Sequence, residues 1–145
     1  MLWAAFSHLS LVTVEEVMLD DGVMTFSART ATPQAVCPGG ETVSGRVHDG
    51  YRRRLADVPV SGHRTVIDLL VRRFICPAQE CDRRTFVEQV DGLTERFARR
   101  TASLHRALEK IALALAGRPA AKLAAHLSID WPYTPTTEMA SRCVV

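Results

Sequence analysis

The residues most able to do chemistry in this chain are sulfurs. Cys76 and Cys81 flank the short loop Pro77-Ala78-Gln79-Glu80, and Cys37 opens the turn Cys37-Pro38-Gly39-Gly40. Two cysteines at the ends of a tight loop can aim both thiolates at one centre, which is half of a structural zinc site. The other half should be a second cysteine pair. Cys37 supplies one member, but Gly40 stands where a Cys-x-x-Cys knuckle has its second sulfur. The expected metal ligands are therefore Cys37, Cys76 and Cys81, with His48 as the candidate fourth and His63 as a weaker one. Zinc accepts three protein ligands plus water, mostly at catalytic sites. The alternative is three buried thiols without a metal. Cys143 is expected to be an idle thiol.

Arginines are the second chemical feature. Residues 46–106 hold thirteen arginines, eight acids and no lysine, a net charge of +5 in a chain whose total is +2. Arginine forks phosphate oxygens bidentately and lysine does not, so the bias suits a nucleic-acid surface. The candidate DNA-contacting residues are Arg52, Arg53 and Arg54, Arg72 and Arg73, and Arg83 and Arg84. Adjacent residues of a strand face opposite sides, so one member of each pair is expected on phosphate. The others are expected to be solvated or paired with Asp57, Asp82 or Glu88. His8, His105 and His126 are expected on helix or strand surfaces.

Other classes fall away. No apolar tract is long enough to span a membrane, and the apolar start Met1-Leu2-Trp3-Ala4-Ala5-Phe6 lacks the basic segment of a signal peptide. A cytoplasmic chain is expected, in which cysteines serve metals or remain thiols. There is no glycine-rich phosphate loop, no Ser-His-Asp order and no paired-histidine motif.

These residues need elements to hold them. Leu11 to Leu19 and Val23 to Ala31 read as a hairpin through Asp20-Asp21-Gly22. Val43 to Tyr51 reads as a short polar strand and a turn. Thr65 to Cys76 reads as the longest strand, with Ile67, Leu69 and Val71 on one face, so the metal loop sits at a strand end. Leu93, Phe97, Leu104, Leu108, Ile111 and Leu115 then fall on one face of a helix, with Thr94 as N-cap and Gly117 and Pro119 as the stop. A shorter helix follows to about Leu127, as in the entry to a helix-turn-helix. From Asp130 onward, two prolines and a run of threonines make no helix.

In this order the signals resemble the N-terminal region of the zinc-finger-led transposases of the ISL-three insertion-sequence class. The matching pieces are Cys37-Pro38, Arg46-Val47-His48, Tyr51 to Pro59, Val71 to Cys76, Cys81 to Glu88, Ala98 to Thr101 and the Ala116-Gly117-Arg118 junction, within roughly residues 9–129. The resemblance implies a DNA-binding head, a zinc finger followed by a helix-turn-helix. It also implies four cysteine ligands, the second of which falls on Gly40. The family's catalytic domain, with its Asp-Asp-Glu metal triad, follows this region and has no counterpart here, so the chain is not expected to be an enzyme.

The expected fold is α+β. Residues 1–91 form a β-hairpin and a zinc-ribbon-like β module, residues 92–129 a helical segment and residues 130–145 a disordered tail. The expected function is recognition of double-stranded DNA, at the terminal inverted repeats of an insertion sequence. The rivals are a non-functional remnant and an interaction module that dimerises through the helix 93–115.

Overall fold

A computed structural model of the protein describes residues 7–131. Of the expected tail 130–145, Asp130 contacts Arg64 and Trp131 packs against the cluster that holds Ile129, while residues 132–145, with Cys143, lie outside the described residues. The architecture is the expected α+β: a β-rich N-terminal part followed by two helices.

The hairpin forms as read. β1 (Val12–Asp20) and β2 (Val23–Thr30) pair antiparallel across Asp21-Gly22. Both turn residues have positive φ, 45° and 73°, as a two-residue type I′ turn requires. After a two-stranded ribbon of β3 (Ala35–Val36) and β4 (Val43–Ser44), the long strands β5 (Val47–Val60) and β6 (His63–Ile75) form a second antiparallel hairpin. Its turn, Ser61-Gly62, repeats the same chemistry with φ of 52° and 79°. β7 (Thr85–Val87) pairs with the far end of β6.

β6 organises the main sheet, whose order is β1-β2-β6-β5, with β7 also on β6. The β2–β6 pairing is parallel: Phe26 lies opposite Ile67 and Ala28 opposite Leu69. That register places Phe26, Ala28, Leu55, Ile67, Leu69 and Val71 in one buried cluster. Leu9, Val90 and Leu93 join it.

Two expectations are corrected. β5 is one continuous strand, and it is longer than β6. Gly50, which reads in sequence as a break, pairs in regular register opposite Arg72, and a register shift at Asp57/Val60 lets the strand absorb Pro59. The first helix, α1, spans Ala102–Leu115 and starts well after Leu93. Its N-cap is Thr101, whose hydroxyl accepts from the Leu104 N–H and donates to Asp57 Oδ1 at 2.6 Å. Leu93 is buried in the sheet core instead, while Phe97 is 84% exposed with φ 62°. Residues before the cap could mimic helical spacing because the periodic signal continues into α1.

α2 (Gly117–His126) follows immediately. Leu104, Leu108, Ala124 and Ile129 make a second core, against which Ala56, Ile111 and Trp131 pack. The helices dock on β5 through reciprocal backbone bonds: Ala56 N–H to Arg99 O and Thr101 N–H to Ala56 O, each 2.9 Å. Asp57 is buried here and also binds His8 Nε2 at 2.7 Å. It therefore anchors a cap and a histidine, not an arginine. His8 is half-buried, whereas His105 and His126 are exposed as expected.

Candidate metal centre

Three sulfurs from two distant segments meet where the ribbon abuts the end of β6. Cys37 leaves β3 into a turn closed by Glu41 N–H to Cys37 O at 2.8 Å and Cys37 N–H to Thr42 O at 2.9 Å. Cys76 follows β6 directly, and Cys81 N–H bonds back to Ala78 O. Stacked Phe74 and Phe86, with ring centroids 5.8 Å apart, floor the site. They pack in one cluster with Cys37, which is fully buried.

The sulfurs of Cys37, Cys76 and Cys81 all lie within 4.8 Å of one another, and Cys37 Sγ is 3.8 Å from Cys81 Sγ. A disulfide would require about 2.05 Å. Tetrahedral zinc with Zn–S bonds of about 2.3 Å spaces its sulfurs by roughly 3.8 Å, so the donor set and its spacing fit zinc. The electrostatics lean the same way at one thiol. Burial opposes ionisation of Cys37, but the N–H groups of Gly39 and Gly40, aided by the Cys76 and Cys81 thiols, outweigh it and lower the pKa below 9.0. Cys76 is pushed the other way, by burial and by its two thiol neighbours, against one N–H from Ala78.

The fourth position is open toward Gly40. A Cβ there would lie 3.5 Å from Cys81 Sγ, so the position that the resemblance assigns to a cysteine does face the cluster. His48 does not join the sulfurs. It is exposed, with Nδ1 3.6 Å from Asp49 Oδ2. His63 sits at the opposite end of β6 from Cys76.

Beside the metal centre runs an open groove of about 640 Å³. Arg53, Arg54, Arg73, Arg83, Arg96 and Arg99 line it, along with Tyr51 and Phe97. Four of these arginines are among the sequence candidates; Arg96 and Arg99 are not, because the apolar spacing from Leu93 onward predicts a helix there. The remaining candidates go elsewhere. Arg52 pairs with Asp68 Oδ2 at 3.3 Å. Arg72 is committed to buried Glu88 through Nε at 3.1 Å and Nη2 at 2.8 Å. Arg84 is exposed outside the groove. Within the groove, Arg53 donates to the carbonyls of Glu95 and Ala98 and so braces the loop that carries Phe97.

No helix among the described residues is long and apolar enough to cross a membrane. No curated protein and no solved structure matches the chain. Residues 33–81, from the strand before Cys37 through Cys81, match the family described as zinc-finger of transposase IS204/IS1001/IS1096/IS1165. Residues 33–81 are thus similar to the zinc ribbon of ISL3-type transposases, and Cys37, Cys76 and Cys81 of that stretch gather at one point.

Proposed function

We propose that this chain is the DNA-binding head of a transposase, directed to the terminal inverted repeats of an insertion sequence, and that it performs no strand transfer itself. The match covers the ribbon and no part of a catalytic domain. The observation that carries the reading is the convergence of six arginines on one groove beside the metal centre. Arg54, Arg83, Arg96 and Arg99 make no ion pair with a carboxylate among the described residues, while Arg52, Arg72 and Arg73 do. The phosphate-contacting set is therefore Arg54, Arg83, Arg96 and Arg99, with Arg73 at its edge and Arg53 as a brace. Zinc held by Cys37, Cys76 and Cys81 would fix the Cys37 turn and the Arg83 loop relative to each other.

Duplex binding measured by fluorescence anisotropy tests this. Four phosphate contacts predict an affinity loss of about 100-fold between about 50 and 200 mM salt. Duplexes from the ends of the DNA surrounding this reading frame should bind more tightly than unrelated duplexes. Supercoiled plasmid should remain intact with magnesium. Absence of binding at low salt refutes the reading, and equal affinity for all duplexes removes the inverted-repeat assignment.

A second reading, association of two copies through the helical segment, rests on the exposure of Leu113, Leu115, Leu123 and Leu127. Leu93, Leu104 and Leu108 are unavailable for it because they are buried within the chain. Sedimentation at high salt would reveal such a dimer.

A further inference from the structure

Phe97 is the least economical residue of the fold. Its ring is 84% exposed, so it contributes nothing to either core. Its φ of 62° lies in the left-handed region, which is strained for a bulky residue and persists only where surrounding bonds impose it. Those bonds are present. Arg53 holds the carbonyls of Glu95 and Ala98 on either side of Phe97. Ala56 N–H holds Arg99 O at 2.9 Å. The turn is thus pinned to β5 both before and after the aromatic ring.

The surroundings of the ring are those of a base-stacking platform. The Arg96 guanidinium lies 4.8 Å from the ring centroid, and Arg54, Arg83 and Arg99 line the same groove. Tyr51, a second half-exposed aromatic residue, lines it too. Basic grooves with projecting aromatic rings take single-stranded nucleic acid, because every base has a face to stack. A volume of about 640 Å³ is in the range of small-ligand clefts. It is large enough for a single nucleotide turned out of a helix.

We propose that the groove takes an unpaired DNA base, with Phe97 as its stacking platform and Arg54, Arg83 and Arg99 on the flanking phosphates. This rests on the DNA-binding reading above and adds that the DNA bound here is locally unpaired. Such a site would favour duplexes whose pairing is already broken, since the cost of extruding the base has been met beforehand.

The test compares two duplexes of one sequence, one fully paired and one carrying a single bulged 2-aminopurine, with the full chain. The wild type should bind the bulged duplex more tightly, roughly 5- to 100-fold, and should change the 2-aminopurine emission on binding. Phe97→Ala should abolish both the preference and the emission change, while leaving affinity for the paired duplex and its salt dependence unaltered. Phe97→Trp should retain the preference. Arg83→Ala should weaken both duplexes equally and reduce the salt slope by about 1. Thermal melts of each variant check folding, which the exposure of Phe97 protects. If Phe97→Ala keeps the preference, or the wild type shows none, the stacking proposal is overturned while DNA binding stands. If neither duplex binds at low salt, the DNA-binding reading fails and this proposal fails with it.

Discussion

Gly40→Cys asks the most of the metal centre. The added Cβ would lie 3.5 Å from both Cβ and Sγ of Cys81 and 3.6 Å from Cβ of Ala78. These are ordinary contacts, and Gly40 is not in the left-handed region, so a side chain enters without backbone strain. Gly39 offers no such opening: a Cβ there would come within 3.1 Å of Arg83 Cδ and 3.2 Å of Cys81 Sγ. The new thiolate would start from the side of the turn that faces the other sulfurs and complete a four-sulfur site. A metal that binds only the folded chain stabilises it in proportion to the logarithm of its affinity, about 1.4 kcal/mol per tenfold. A hundredfold tighter site therefore adds ~2.7 kcal/mol at saturating zinc. At about 3 °C per kcal/mol for a domain of this size, the melting point rises by ~8 °C. Calorimetric melts with and without zinc, together with competition against a chromogenic chelator, measure both quantities. The variant should hold about one zinc per chain where the wild type releases it to a mild chelator. Gly40→Ala adds the Cβ without the sulfur and separates packing from ligation, and His48→Ala should leave zinc binding unchanged. If Gly40→Cys gains neither zinc affinity nor zinc-dependent stability, the three cysteines do not serve one metal and the centre has been misread.

Glu88→Ala should destabilise the chain by about 3 kcal/mol in urea unfolding, because it strands the half-buried Arg72 guanidinium. Arg84→Ala, on the exposed surface, should stay within about 0.5 kcal/mol. Thr101→Ala removes both the cap of α1 and the hydroxyl that serves buried Asp57, for about 2 kcal/mol; Thr101→Ser should recover most of it. Zinc affinity should fall as pH is lowered from about 8 to about 6, since bound thiolates compete with protons. The raised pKa of Cys76 sets the sign: in the metal-free chain it keeps its proton at neutral pH and must release it on binding. Chelator competition across that pH range, with proton release read by calorimetry in two buffers, checks it.

What the sequence disclosed, it disclosed through local chemistry. Asp21-Gly22 identified its hairpin because φ > 0 at both positions leaves few other residues suitable. The cysteines identified the metal centre because their spacing around short turns is itself the geometry. The groove was less accessible. Its parts come from β5, β6, the Arg83 loop and the 96–99 loop, and the β5–β6 and β6–β7 pairings together with the return of residues 99–101 along Ala56 bring them together. Leu93 and Phe97 were drawn into a false helix by a spacing that fits α1, yet one is buried in the sheet and the other faces solvent. β5 was hidden for the opposite reason: Gly50 and Pro59 look like terminators, yet Gly50 pairs within the regular ladder opposite Arg72 and an irregularity at Asp57/Val60 accommodates Pro59. The choice between Arg52 and Arg53 depended on which carboxylate or carbonyl stood across the sheet, and that is a tertiary fact.

The parallel pairing of β2 with β6 also sets an order of assembly. β5 and β6 are joined by a two-residue turn and can zip up from it, whereas β2 must find β6 after the whole intervening ribbon and β5 have been looped out. Such a closure costs chain entropy before any pairing repays it, so it is the slow step. Cys37 lies inside that excursion and Cys76 at the end of β6. A metal shared by the two would act as a removable cross-link, shortening the path over which the hairpin must search.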